Sequence, residues 1–230
     1  MAEESGERAV FLSRPYVAAR PARRGRPGYD LESLLQVAVE LFNERGYEGT
    51  SMEDLARRLG ITKSAIYHHV PGKEELLRLA VHRALDGLFA AAEESGSLDG
   101  RAVERLEHLV RASVIVLAEQ LPFVTLLLRI RGNTRVERDA LTRRRAFDQI
   151  VTELVTEAVA EGDLRSGIDP AIAARLLFGM INSLIEWYQP RGATSGADLA
   201  DMVVSVAFNG LRVRTGDWAA SRQPRDAGEV

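Results

Sequence analysis

The stretch from Tyr47 to Leu76 constrains the fold more than any other part of the chain. Thr50 and Glu53 stand three positions apart, and this capping-box spacing predicts the start of a helix. Gly60 predicts the end of the same helix, because glycine adopts a left-handed backbone at the least cost. A second capped segment follows at once, so the stretch predicts two short helices joined by a tight turn.

The second of these helices is expected to carry a polar outer surface. Thr62, a preferred N-cap residue, opens it. A rotation of about 100° per residue places Lys63, Ser64 and Tyr67 on one side, with His68 at the edge. A helix of about eight residues fits the major groove of B-DNA. We therefore interpret the two helices as a helix-turn-helix whose second helix contacts DNA.

Individual side chains suit different contacts with DNA. Lys63 is the first candidate for a base-edge contact, because its ammonium group can donate to guanine O6 and N7. Ser64 and His68 suit bases or phosphates, whereas the helical phase of His69 turns it inward and predicts a structural role. Hydroxyl groups and cations near helix starts suit phosphates. The DNA-binding set is completed by Thr50, Ser51, Thr62, Tyr67 and Lys73. The alternative is a solvated face that contacts no DNA.

The same stretch resembles the N-terminal domain of TetR-family transcriptional repressors. The matching pieces are Leu41-Phe42-x-x-x-Gly46-Tyr47-x-x-Thr50-Ser51, Asp54-Leu55-Ala56, Gly60-Ile61-Thr62-Lys63, Tyr67-x-His69 and Lys73-Glu74-Glu75-Leu76. The resemblance is strong over residues 30–80, although Val70 stands where the family usually has Phe, and Gly72 where Ser or Asn is common. It implies a dimeric, ligand-responsive repressor of operator DNA, in which Tyr67 and Lys73 contact phosphates.

Composition narrows the remaining classes of protein. The 230 residues include no cysteine, which excludes disulfides and thiolate metal sites and favours a reducing, cytoplasmic setting. No apolar run approaches the ~20 residues that span a bilayer. The four histidines lack metal-ligand spacing, and the chain has neither a nucleophile motif nor a Gly-rich phosphate loop. No metal, cofactor or enzymatic activity is therefore expected.

Charge and proline content divide the chain. The formal net charge is −3, but basic residues outnumber acidic ones between residues 14 and 73, as a DNA-binding end requires. Arg24 and Arg26 lie in an Arg-Gly-Arg-Pro sequence that could enter a narrow minor groove or merely add nonspecific attraction. The predicted domains are a disordered basic arm (1–29), a helix-turn-helix domain (30–76), a ligand-binding and dimerisation domain (77–215) and a disordered tail (216–230).

The remaining sequence predicts an all-α fold, with a three-helix DNA-binding head and a six-helix ligand-binding and dimerisation body. Two helices, over residues 170–188 and 197–214, carry more apolar surface than one packing partner needs. In the resembling family the last two helices pair with those of a second copy in a four-helix bundle. The residues expected at that interface are Leu177, Ile181, Leu184, Val203, Ala207 and Leu211. The alternative is an ordinary monomer core.

An effector site is expected inside the body. An apolar segment, Phe123–Ile130, precedes six arginines between Arg131 and Arg145, which suggests an anionic ligand with an apolar tail. The expected lining is Phe123, Leu127, Arg131, Arg144, Phe147, Ile150, Phe178, Asn182 and Trp187. An acyl-CoA fits this description, and residues 182–188 resemble repressors of fatty-acid, phenylacetate and steroid catabolism that respond to CoA thioesters.

Three alternatives stay open for the body. The arginines could form a solvated basic face, or the pocket could sense neutral or cationic aromatic compounds, as in multidrug-type regulators. A helical enzyme or adaptor would require the face that carries Lys63 and Tyr67 to be idle.

Overall fold

A computed structural model describes residues 30–211 and the side chains up to residue 209. This part of the chain forms α1 (Leu31–Arg45), α2 (Met52–Leu59), α3 (Lys63–Tyr67), α4 (Lys73–Ser97), α5 (Ala102–Glu119), α6 (Leu121–Arg129), α7 (Arg135–Ala160), α8 (Pro170–Ser183), a 3-10 turn (Leu184–Glu186) and α9 (Gly196–Leu211). Residues 30–211 contain no strand. The all-α prediction is confirmed, and the predicted arm and tail lie outside the described residues.

Local capping explains where several helices begin and end. The Asp30 carboxylate accepts the Ser33 backbone N–H at 2.8 Å and starts α1. Asp169 accepts the Ile172 N–H at 3.0 Å, and Pro170 at the first position of α8 has no N–H that needs a partner. Gly60 ends α2 in the left-handed conformation, at φ 67° and ψ 32°. Each of these boundaries coincides with a pattern that can be recognised in the sequence: a capping Asp, a Gly at a helix end and an Asp-Pro pair.

Helix α5 lies at the centre of the body. Its inward residues are fully buried, and it packs against α4, α7 and α9. The buried side chains include Leu106, Leu109, Val110 and Val114. Apolar burial on this scale supplies most of the driving force that folds the body.

The head contacts the body through α1, which packs on two other helices. Helix α1 packs against both α4 and α6. At this junction the Asn43 side-chain Nδ2 donates to the Pro122 carbonyl at 2.8 Å, and Arg129 donates to the Asn43 carbonyl at 3.3 Å. Arg83 of α4 also pairs with Glu32 of α1. The head is therefore tied to the body by polar contacts as well as by packing.

One helix boundary in the body differs clearly from the predicted one. The helix predicted over residues 170–188 ends at Ser183 and continues as the 3-10 turn, so Trp187 lies beyond it. Helix α6 starts directly after α5 but turns away from it by 101°. Over residues 30–211 no single helix meets the length and hydropathy needed to span a membrane, while the bent pair α5–α6 meets both when taken together.

Candidate nucleic-acid interface

The first helix of the helix-turn-helix begins one residue later than the capping pattern predicted. Ser51, not Thr50, is the N-cap: its Oγ accepts the Asp54 N–H at 3.2 Å, and Asp54 accepts the Ser51 N–H at 3.0 Å. The hydrogen bonds from Ser51 hold the pKa of the Asp54 carboxyl below its ordinary value. The sequence contains two overlapping capping patterns, Thr50–Glu53 and Ser51–Asp54, and only the second forms.

Thr50 is buried, which corrects its assignment as a phosphate contact. Its side chain is 1% exposed, and its hydroxyl donates to the Gly46 carbonyl at 2.9 Å. A hydroxyl in this position closes the α1–α2 connection and cannot reach a DNA backbone. Ser51 remains exposed beside it at the start of α2.

Helix α3 is shorter than predicted, with five residues. Thr62 caps it by accepting the Ala65 N–H at 3.2 Å, and Ile66 anchors it as a fully buried side chain. The four side chains assigned to its outer surface are exposed: Lys63, Ser64, Tyr67 and His68. The capping residue Thr62, also proposed for DNA, is exposed as well. Their exposure is what contact with a groove requires, so the polar face stays available.

His69 is exposed, so its predicted inward orientation is wrong. The prediction extended the helical rotation through His69, but α3 ends at Tyr67 and His68 is its C-cap. Beyond the cap the chain turns, and Val70 takes the buried position instead. His69 thus joins the exposed residues that follow the recognition helix.

Lys63 and Lys73, the two lysines proposed for DNA, have different surroundings. Lys63 is 49% exposed, and the Glu53 carboxylate lies 3.8 Å from its ammonium. Lys73 donates to the carbonyls of Tyr47 and Thr50 at 3.0 and 3.1 Å and lies 4.3 Å from the centroid of the Tyr47 ring. Lys73 is therefore first a brace for the α1–α2 connection, and its phosphate contact stays a prediction.

We predict that Lys73→Met lowers the free energy of unfolding by about 1–2 kcal/mol, because two carbonyls lose a charged donor. Urea denaturation followed by circular dichroism measures the loss. Lys63→Met is the matched control, and its exposed ammonium should leave stability unchanged within about 0.5 kcal/mol. Equal stability of the two variants would show that Lys73 does not brace the head.

We predict that Ser51→Ala lowers the stability by about 1 kcal/mol, the usual effect of removing an N-cap hydroxyl. The loss also changes the acid response. A carboxyl whose folded pKa is lowered stabilises the fold above its unfolded pKa, and that stabilisation is lost as pH falls through the folded value. The difference between wild type and Ser51→Ala should therefore shrink in thermal melts recorded progressively below pH 4. A difference that does not change with pH would contradict the Asp54 linkage.

Comparisons with known proteins agree with this head. Residues 34–80 match the N-terminal domain of the bacterial regulatory proteins of the tetR family, and residues 99–211 match the tetracyclin repressor-like C-terminal domain. The HTH-type transcriptional repressor KstR2 of Rhodococcus jostii is 31% identical over 193 residues, which cover 81% of this chain and 93% of that protein. The chain belongs to the TetR family. It is a DNA-binding transcriptional repressor with a helix-turn-helix head, not an enzyme.

Two solved structures support the same assignment. A TetR-family regulator from Streptomyces coelicolor is 56% identical, with a TM-score of 0.73 over 80% of this chain and 92% of that one. AibR, solved in complex with isovaleryl coenzyme A and operator DNA, is 25% identical, with a TM-score of 0.66 over 77% of this chain and 97% of that one. The two-part architecture of this TetR-family chain is thus found in proteins of known structure.

Two of the aromatic residues predicted for the effector site, Phe147 and Phe178, form a packed cluster with Phe89. The Phe147 ring lies edge-on to Phe178, with centroids 5.2 Å apart, and to Phe89 at 6.0 Å. Phe123 lies elsewhere, under the guanidinium of Arg83 at 4.5 Å, and Leu127 is fully buried. Ile150 and Asn182 are half-buried, whereas Trp187 is 59% exposed. The structure thus divides this set between a tight core cluster and the surface.

The six arginines of the basic strip do not share one surface. Arg143 reaches α4, where it donates to Asp86 at 2.7 Å and to His82 Nδ1 at 3.4 Å. Burial, with Arg143 beside it, holds the pKa of His82 below its ordinary value. Arg138 instead donates to the carbonyls of the α6–α7 connection. Arg131 lines a cavity at the head–body junction, apart from the cluster around Phe147.

The predicted dimer residues face the core of the protomer. Leu177, Ile181 and Leu184 are each less than 5% exposed, Val203 and Ala207 are also buried, and the Leu211 side chain lies outside the described residues. The large apolar side chains that α8 and α9 expose are Ile172, Leu176, Met202 and Val206. Both helices are amphipathic. Their exposed apolar residues lie about one position before the residues that were predicted for the interface.

Sequence analysis missed one buried carboxylate. Glu137 Oε2 accepts the backbone N–H groups of Arg131, Gly132 and Asn133 at 2.8–3.1 Å. This single side chain orders the α6–α7 connection at the junction with the head. The capping spacing of Thr134 and Glu137 was a signal that could have found it, because Thr134 caps α7.

Arg24 and Arg26 lie outside the described residues. Within residues 30–211 no group of three or more His, Asp or Glu could hold a metal.

Proposed function

We propose that the protein acts as a homodimer that binds a pseudo-palindromic operator and is released from it by an acyl-CoA thioester. The exposed polar face of α3 is the observation that carries the DNA part. Its base-facing candidate is Lys63, with Ser64 and His68 beside it and phosphate contacts from Ser51, Tyr67 and Lys73. One recognition helix covers a half-site, so two copies are needed to span successive turns of a palindrome.

The exposure of large apolar side chains on α8 and α9 supports a dimer surface there. Helices α8 and α9 both pack on the body, yet Leu176 is 68% exposed and Val206 is 69% exposed. Large aliphatic side chains at this exposure on two amphipathic helices favour burial against a second copy. A four-helix arrangement of α8 and α9 from two protomers would cover Ile172, Leu176, Met202 and Val206.

Two observations support an acyl-CoA effector: the ligand of one related protein and the side chains around Phe147 in the body. AibR binds isovaleryl coenzyme A and operator DNA, and its fold covers 77% of this chain. The cluster around Phe147 offers aromatic walls to an acyl group, and Arg144, half-buried one turn away on α7, could hold its phosphates. Ligand that separates Phe147 from Phe89 would push α7 away from α4, which leads to the head.

We predict that a CoA thioester of a particular acyl length releases the operator fragment in a gel-shift assay and raises the melting temperature of the protein. A ligand at one hundred times its Kd stabilises the folded state by about 2.7 kcal/mol. Free CoA and the matching free acid are the controls, because each carries only part of the thioester.

Persistent DNA binding with every thioester would overturn the acyl-CoA assignment and leave the repressor assignment intact. The second candidate, a sensor of neutral or cationic aromatics, is favoured by one observation: three phenylalanine rings, from α4, α7 and α8, meet edge to face in the body. Release by planar aromatic cations in the same assay would select it.

A further inference from the structure

A cavity of about 300 Å³ lies between the head and the body, apart from the cluster around Phe147. Its head side is formed by the end of α1 and the α1–α2 connection, including Phe42 and Asn43. Its body side is formed by Leu126, Ile130 and the α6–α7 connection. This volume is at the lower end of the range for small-molecule sites, and the walls are mainly apolar with a few polar groups.

The charges around the cavity leave two cations uncompensated. Of its acidic side chains, Glu137 is satisfied by three backbone N–H groups, and Glu48 lies 4.0 Å from the ammonium of Lys73. Arg45 lies 3.6 Å from the Asp54 carboxylate. Arg129 and Arg131 form no ion pair with any residue between 30 and 209, and both line the cavity and are exposed.

One wall also contains an unsatisfied polar atom. Asn43 uses its Nδ2 on the Pro122 carbonyl, but its Oδ1 is buried and has no hydrogen-bond donor among the described residues. A buried acceptor without a donor is costly. An ionised carboxylate has no donor to offer it, so this atom does not contribute to holding an anion. The features of the cavity that favour an anion are therefore its apolar side chains and two guanidinium groups that form no ion pair among the described residues, one of which also donates to the Asn43 carbonyl.

We propose that this junction cavity binds a small organic anion, whose carboxylate or phosphate group is held by Arg129 and Arg131 and whose apolar part packs against Phe42, Leu126 and Ile130. Guanidinium groups hold such oxyanions through paired N–H donors. The site is separate from the proposed effector region. Because its two sides belong to the head and the body, an occupant contacts both.

The site can be tested with octanoate, octanol and inorganic phosphate as probes on the full chain. Octanoate should raise the melting temperature by a few degrees, and the Arg129→Gln/Arg131→Gln variant should lose at least two-thirds of that rise. The Arg135→Gln/Arg145→Gln variant, which removes two exposed charges outside the cavity, should keep it. An equal rise with octanol would overturn the role of charge, and an equal rise with phosphate would overturn the role of the apolar walls.

Methyl NMR locates the probe, since octanoate could also enter the body. With labelled isoleucine methyl groups, octanoate should shift the Ile130 signal and leave the Ile150 signal in place. A shift at Ile150 alone would place the anion in the effector region and overturn the junction site. A failure of CoA thioesters to release DNA would leave this result unaffected, so the two proposals are tested separately.

Discussion

Replacing Lys63 and Tyr67 together with alanine is expected to weaken operator binding by at least roughly a hundredfold. A base or phosphate contact of this kind contributes about 1–3 kcal/mol, and a change of 1.4 kcal/mol is a factor of ten. Both side chains are 49% exposed, so their loss should leave the unfolding free energy within about 0.5 kcal/mol of wild type. The double variant should therefore change the affinity for DNA without changing the stability of the fold.

Fluorescence anisotropy with a labelled operator fragment measures this effect, at two salt concentrations. Because the variant lacks the Lys63 cation near the DNA phosphates, its affinity should also depend less steeply on salt. Arg191→Ala is the matched control, because it removes an exposed cation from the loop before α9. Unchanged operator affinity in the double variant would mean that the exposed face of α3 is idle.

The second large effect concerns assembly. Leu176→Glu combined with Val206→Glu should convert the proposed dimer to a monomer, because charged side chains would have to be buried unpaired at the proposed interface. The same variant should bind a full palindromic operator at least roughly a hundredfold more weakly, since each protomer would then bind one half-site alone. Folding should persist, because both side chains are exposed in the protomer.

Sedimentation equilibrium measures the mass, and anisotropy measures the operator affinity. Ser166→Glu with Ala160→Glu is the control, as it adds the same charge at two exposed positions outside α8 and α9. If the Leu176/Val206 variant stays dimeric, the copies meet through another surface, and Met202 and Ile172 are then simply exposed.

The features that sequence predicted well are local ones. Asp30, Gly60 and the Asp169-Pro170 pair each set a helix boundary through contacts within four residues, and those contacts depend little on the rest of the fold. Ser51 shows the limit of such patterns. Two capping boxes overlapped, and burial of Thr50 between α1 and α2 decided between them.

The features that sequence could not predict depend on distant packing. On α9, Val203 and Val206 fit an apolar stripe of the helix almost equally well. The contact with α5 decides which of the two is buried. Arg143 likewise belongs by sequence to a basic strip, whereas Asp86 and the Phe89 ring on α4 determine where its guanidinium lies. In both cases the deciding partner is more than 50 residues away in the chain.

The position of Lys73 at the first turn of α4 gives that helix a mechanical property. Helix α4 has 25 residues and is therefore about 37 Å long. As a rigid lever hinged at its far end, it would carry the Lys73 end through about 3 Å for a tilt of only ~5°. Because Lys73 is hydrogen-bonded to the carbonyls of Tyr47 and Thr50, the α1–α2 connection would move with it, and α2 and α3 would follow. A displacement too small to disturb the body core is thus large enough to take a recognition helix out of register with its groove.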